Sequence, residues 1–266
     1  MTRSHRPERR ALEAARLVAL DLGLDSPDAR VLSAGSNVLV HLHPAPVVAR
    51  VMTGTAVLHD DPEEWLTREV AVGRFLGERG LAVPPTDLLP PGPHVRDGLW
   101  LTLWRFVGHE RSDGMAAAAL GARLGELHRA LADYTGELAP LSSVRDWLAM
   151  LIDKLGDAGP LRSELDALSP GVFEPTGQPL HGDMSVSNLL RTEDGLLWND
   201  LEDVCTGPVE WDLAGLVTSV RARGANDEYV EALIDAYGGP GLDDLHEFLA
   251  AHELYVTVWQ RWRASS

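Results

Sequence analysis

Apolar positions recur at helical spacing over Pro7–Leu22, where Leu and Val alternate with Arg and Glu, and Gly23 follows as a stop. From Arg30 to Met52 the period changes to two. Val38–His43 and Val47–Met52 read as strands joined through His43-Pro44-Ala45-Pro46. Asp61-Pro62 predicts a helix start, and that helix runs to about Gly80. After the loop-rich stretch Pro84–Pro93, Leu99–Val107 is an apolar strand containing Trp100 and Trp104. Beyond Gly108 the pattern turns helical, over Met115–Tyr134, Val144–Leu155 and Leu161–Leu168. Leu180–Arg191 is interrupted and polar, Leu196–Asp200 reads as a short strand, and the remainder to Arg263 is mostly helix. A strand-rich first third before a helical remainder predicts an α+β, bilobal fold. Its N-lobe would span residues 1–107 and its C-lobe 108–266, with a hinge near Val107–Arg111 and a cleft suited to a ligand.

Composition narrows the class. The 266 residues are 45% hydrophobic, which is enough for a buried core and argues against disorder. No apolar stretch approaches the roughly 20 residues of a membrane span. The basic start, Met1–Arg10, runs into an amphipathic pattern without an apolar signal core. The single cysteine, Cys205, excludes an internal disulfide framework and fits a reducing compartment. The expected address is therefore cytoplasmic, with no membrane partner. A net charge of −17 argues against a phosphate-tracking nucleic-acid binder; it reads equally as solubility alone or as a field that favours cationic partners or substrates. His41 and His43 share a strand, but two ligands without a third do not make a metal site.

The densest chemistry lies in His181-Gly182-Asp183-Met184-Ser185-Val186-Ser187-Asn188, a polar loop bounded by Leu180 and Leu189-Leu190. Protein kinases separate a catalytic-base aspartate from a magnesium-binding asparagine by the spacing H-R-D-x-x-x-x-N. Asp183 and Asn188 reproduce that spacing, with Gly182 in the arginine position. A carboxylate can orient an attacking hydroxyl and accept its proton, and an amide oxygen is a hard ligand suited to Mg²⁺. Leu196-Leu197-Trp198-Asn199-Asp200 is an apolar strand ending in acid, which places Asp200 to supply a second, charged metal ligand. Asp212-Leu213-Ala214 follows the Gly207-Pro208 turn, and Asp212 reads equally as the N-cap of a helix beginning at Leu213.

These segments, in this order, resemble the aminoglycoside phosphotransferase family, a branch of the protein-kinase-like fold. The shared features are H-G-D-x-x-x-x-N at His181–Asn188, the strand aspartate Asp200, then Gly207 and Asp212-Leu213-Ala214. Leu124-Gly125-Glu126-Leu127-His128 resembles the helix that precedes the family's catalytic loop. The resemblance implies Asp183 as catalytic base, Asn188 and Asp200 as Mg²⁺ ligands, and Asp212 as a buried structural partner. It also implies ATP or GTP as donor and a hydroxyl of a small molecule as acceptor. The acceptor could be an aminoglycoside antibiotic or another compound such as choline, homoserine, a sugar or a macrolide.

The nucleotide side departs from the kinase pattern. The only lysine, Lys154, lies far into the helical region, so the phosphate-gripping lysine of the third strand is missing. Val47-Val48-Ala49-Arg50-Val51 matches the surrounding texture with Arg50 in that place. Projection of the helix after Asp61 puts Glu69 in the middle of the apolar stripe Trp65, Leu66, Val70, Val72 and Leu76. A carboxylate on a buried face needs a partner, and Arg50 is the natural one. Gly35 and Ser36, in the turn before the second strand, would cover phosphates through backbone N–H groups. The backbone of Trp104–Gly108, Phe106 included, would read the nucleobase. The altered cation keeps open an alternative, a pseudokinase-type nucleotide-binding module without transfer activity.

Overall fold

The computed structural model describes residues 6–54, 61–110, 114–156, 159–174 and 177–265. Residues 1–5 of the basic N-terminal stretch and Arg111 of the expected hinge lie outside these. The chain divides into two compact units, residues 1–110 with 192–197 and residues 111–191 with 198–266.

The first unit opens with α1 (Arg6–Asp21), then β1 (Arg30–Ala34), β2 (Asn37–His41) and β3 (Val47–Met52). α2 (Pro62–Gly77), β4 (His94–Arg96), β5 (Leu99–Arg105) and the two-residue β6 (His109–Glu110) follow. Five strands form an antiparallel sheet in the order β1-β2-β3-β5-β4. Alternation of side chains along a strand gives this sheet two differently used faces. Val38, Val40, Val47, Ala49, Val51, Leu101 and Leu103 pack with Ala11, Ala15, Val18 and Ala19 of α1. The alternate positions of β3 and β5, which include Arg50, Met52, Trp100 and Thr102, face the other way, where Met52 packs with Trp65 and Leu66 of α2. The start of α2 is fixed by Asp61, whose carboxylate accepts the Glu64 N–H at 3.0 Å, and by Pro62 at the first helical position.

The second unit contains α3 (Ala117–Leu131), β7 (Ala139–Pro140), α4 (Ser142–Lys154), α5 (Gly159–Ala167), β8 (Gln178–Leu180) and β9 (Leu189–Thr192). Thr192, the last residue of β9, and most of β10 (Gly195–Trp198) belong to the first unit, while β11 (Cys205–Gly207), α6 (Val209–Arg221), α7 (Asp227–Tyr237) and α8 (His246–Ser265) complete the second. A small sheet of order β7-β11-β8 pairs Cys205 with Leu180, so the residue before His181 lies beside the strand that leads into α6. The bilobal α+β expectation holds. The strand at 94–96 lacks a periodic signature in three residues and lies outside the sequence reading.

Glycine lets α3 and α7 approach closely. A Cβ on Gly121 would lie 2.0 Å from the Leu233 carbonyl oxygen, a backbone atom that cannot rotate away. Gly121→Ala is therefore expected to cost about 1–3 kcal/mol by overpacking. Urea unfolding measures this, and an unchanged midpoint would show that the helices yield without cost. Among the described residues no helix is long and apolar enough to cross a membrane.

Candidate active site

The His181–Asn188 loop leaves β8 and is pinned from behind by α6. Asp212 is fully buried and accepts the His181 N–H at 2.7 Å and the Gly182 N–H at 2.9 Å. Trp211 donates its indole N–H to the Gly182 carbonyl at 2.8 Å. Two turns on, Ser219 Oγ accepts the Val186 N–H at 3.0 Å and meets Ser185 Oγ at 3.0 Å. Gly182 has φ +87°, and a Cβ there would stand 1.9 Å from the Asp203 carbonyl oxygen. No side chain fits, which is why glycine occupies the position that is arginine in protein kinases.

Asp212 does not cap a helix. α6 begins at Val209 with Pro208 as its N-cap, so Asp212 lies inside the first turn. Its carboxylate points back to the loop and also accepts from His128 Nε2 of α3 at 2.9 Å. The other ring nitrogen of His128 lies 2.8 Å from the Tyr237 hydroxyl. Burial pushes the Tyr237 phenol up to about 12, which keeps it a donor. Burial alone would raise Asp212, yet the hydrogen bond and charge of His128, followed by His181, hold it below the usual carboxylate range.

Asp183 is joined to Asn188 within this loop. The Asn188 amide donates to the Asp183 carbonyl at 2.9 Å and to its carboxylate at 3.3 Å. The amide oxygen of Asn188 is then the group left to ligate a cation. The Asn199 N–H donates to the Asn188 carbonyl at 2.9 Å, which brings Asp200 next to the loop. Asp200 itself adopts φ +61°, a left-handed conformation that costs an aspartate less than most residues. Burial first, and the Asp200 carboxylate second, push Asp183 up to about 6. Asn188 and the Tyr255 hydroxyl act the other way by hydrogen bonding to its charged form. Two carboxylates that repel one another beside an amide oxygen make a hard-oxygen set with surplus negative charge, and such a set suits a divalent cation.

Tyr255 of α8 is buried, and its ring packs against Trp147, Trp211 and His252. Burial, then Asp183, Asp203, Glu202 and Asp200, push its phenol well up, so it remains a donor. His128, Trp211, Ser219 and Tyr255 carry no role in the sequence reading. Tyr255 falls in the C-terminal stretch that the pattern marks only as mostly helix. Of the acidic residues that follow Asp200, Glu202 is buried rather than turned to solvent, whereas Asp203 is half-buried.

The nucleotide-side residues lie in the first unit. Arg50 Nη1 reaches both carboxylate oxygens of Glu69 at 3.2 Å, and the pair is buried, as the lone acid on the apolar stripe of α2 required. Gly35 and Ser36 form the β1–β2 turn, and the Ser36 carbonyl accepts from Gly54 N–H at 2.7 Å and from the Thr53 hydroxyl at 3.2 Å. Gly35 does not adopt a left-handed φ, so its conformation is open to other residues. The Trp104 indole faces α2, and the Phe106 ring stacks on His41 at 4.0 Å while its N–H is donated to the Pro46 carbonyl at 2.9 Å. A cavity of about 610 Å³ in the same unit, lined by Arg74, Thr86, Asp87 and Arg105 among others, contains none of these residues.

Residues 33–250 match the model of the phosphotransferase enzyme family. No curated protein sequence matches the chain. Among solved structures, the GDP and kanamycin complex of APH(2")-IIia aligns with a TM-score of 0.65 at 17% identity, covering 94% of this chain and 90% of that one. A choline/ethanolamine kinase family protein from Mesorhizobium loti aligns with a TM-score of 0.61 at 18% identity, covering 95% and 85%. Amicoumacin kinase hAmiN, in complex with AMP-PNP, Ca²⁺ and Ami, aligns with a TM-score of 0.67 at 12% identity, covering 96% and 88%. At these identities the likeness carries the fold.

Proposed function

The chain belongs to the phosphotransferase enzyme family, and from that premise we propose that it moves the γ-phosphate of ATP or GTP to a hydroxyl of a small molecule. The observation that carries this reading is the hydrogen-bonded Asp183–Asn188 pair beside Asp200 on a loop anchored by Asp212. Asp183 orients the acceptor hydroxyl and takes its proton as the oxygen attacks phosphorus and the bond to the bridging β–γ oxygen breaks. Asn188 and Asp200 would hold Mg²⁺, which offsets charge on the phosphate oxygens when bound. Arg50, aimed by Glu69, grips phosphate through its planar fork. Gly35 and Ser36 cover the phosphates, while the backbone from Trp104 to Gly108, with the Phe106 carbonyl, reads the base. Residues 1–107 would thus act as a nucleotide-covering N-lobe and 108–266 as a catalytic C-lobe.

The net charge of −17 favours a cationic acceptor. The structural neighbours include proteins seen with kanamycin and with Ami and one named for choline or ethanolamine, so aminoglycosides and amino alcohols are the first acceptors to try. Antibiotic resistance in the cytoplasm is the role that an aminoglycoside acceptor would give. The test is consumption of ATP and GTP with Mg²⁺ across a panel of aminoglycosides, amino alcohols, sugars and macrolides. At least one acceptor should stimulate turnover, with phosphate appearing on its hydroxyl. Bound nucleotide with no stimulation by any hydroxyl compound would instead support a non-catalytic nucleotide-binding module.

A further inference from the structure

Period-two alternation sets Arg50 of β3 directly opposite Thr102 of β5 in the sheet register, both on the face turned to α2. Trp104 is two residues further along β5 on that same face. Glu69 of α2 reaches down to both strands. Its carboxylate accepts the Thr102 hydroxyl at 3.4 Å in addition to the Arg50 guanidinium at 3.2 Å. The Trp104 indole N–H is donated to Thr102 Oγ at 2.8 Å. Relative exposure is 0% for Thr102, 2% for Glu69, 6% for Arg50 and 8% for Trp104, so water does not compete for these bonds.

Indole nitrogen is a donor only, which leaves Thr102 Oγ as acceptor in that bond and forces its own proton elsewhere. The Glu69 carboxylate is the acceptor it faces. The chain of bonds therefore has one direction, from Trp104 N–H through Thr102 O–H to Glu69, which in turn faces Arg50. α2 is seated on the same tryptophan. A Cβ on Gly73, one turn after Glu69, would lie 2.5 Å from the Trp104 ring, so the absence of that atom sets how close the helix comes.

On this basis, and resting on the nucleotide-donor reading above, we infer that Thr102 and Trp104 are positioning residues that aim the Arg50 guanidinium at nucleotide phosphate by fixing Glu69. An arginine makes this more consequential than a lysine would. A planar fork grips phosphate only when its plane is set, whereas an ammonium acts as a point charge. The relay holds Nη1 of the guanidinium at Glu69 and thereby sets the direction of its plane.

The test is titration of the full chain with ATP and Mg²⁺ by calorimetry, which needs neither acceptor nor turnover. Thr102→Val keeps the shape of the side chain and removes the hydroxyl, and it should raise Kd roughly tenfold, the scale of one hydrogen bond to a charged group. Thr102→Ser should stay within about twofold of the unmodified chain. In an Arg50→Ala background, Thr102→Val should add nothing further, because its effect runs through that arginine. Trp104→Phe keeps the ring against Gly73 and loses the N–H, so it should weaken binding in the same sense even if the valine variant does not fold. Equal affinity for the valine, serine and phenylalanine variants would overturn the inference. So would a loss of the same factor in both arginine and alanine backgrounds, which is the signature of a merely structural role. Absence of ATP binding by the unmodified chain would overturn the donor reading itself.

Discussion

Asp183→Asn is expected to lower acceptor-stimulated turnover by ~10²–10⁴-fold, the range that general-base catalysis supplies. The substitution is isosteric, and asparagine retains an oxygen able to accept from the Asn188 amide, now 3.3 Å from the Asp183 carboxylate. The loop should keep its shape, because His181, Gly182 and Val186 are fixed through their backbone to Asp212 and Ser219 rather than through this side chain. What is lost is the basic site for the acceptor proton. Nucleotide Kd should change far less than kcat, since the donor grip is assigned to Arg50 and the metal to Asn188 and Asp200. Steady-state kinetics paired with calorimetry separates the two quantities. Turnover retained to within about threefold would remove Asp183 from the role of base, as no general base contributes so little.

Asp212→Ala is expected to destabilise the fold by about 3–5 kcal/mol, the range for removing one partner of a buried charged pair. That is a large share of the roughly 5–15 kcal/mol that holds a domain folded. The carboxylate serves three donors at once, the His181 and Gly182 N–H groups and His128 Nε2, all buried. Alanine leaves each without an acceptor. Urea unfolding reads the loss, and a change below about 1 kcal/mol would mean that water or a neighbouring oxygen takes over.

The same site gives a pH signature of definite sign. Asp212 is held below its ordinary value in the folded chain by the His128 hydrogen bond and charge and by His181, against the burial that opposes them. Its other titratable neighbours are Asp183, Cys205, Tyr237 and His252. A carboxylate depressed in the folded state contributes stability that is fully present above its unfolded value, about 3.9. That contribution is lost as pH falls toward the folded value. Stability should therefore drop more steeply below about pH 4 in the unmodified chain than in Asp212→Asn, which cannot titrate there. Parallel pH dependence of the two melts would show that Asp212 is not the group responsible.

Much of this was legible in the chain. Helical periodicity located α1 to α4 to within a few residues, and the alternation from Arg30 to Met52 located the hairpin of β2 and β3. The pairing of Arg50 with Glu69 was readable because a single acid on an apolar stripe has to find a partner. The start of α6 was not. Asp212 resembles a cap by residue type, but the helix begins three residues earlier at Val209, behind Pro208, and the carboxylate is instead the buried partner that the family resemblance implies. A capping residue and a buried anchor differ only in what surrounds them, and a local pattern does not report surroundings.

The sequence by itself determined the family, the α+β class, the Asp183–Asn188 spacing and the apolar strand ahead of Asp200, because each is written in residues close together along the chain; the strand stops at Trp198, and Asp200 stands two residues beyond it at φ +61°. Tertiary structure alone decided what holds them. His128 and Asp212 are 84 residues apart and His181 and Asp212 are 31 apart, while Thr102 reaches Glu69 across 33. Hydrogen bonds over such separations leave no period in the chain. They exist only once the sheet register and the helix seats have brought donor and acceptor together, away from water.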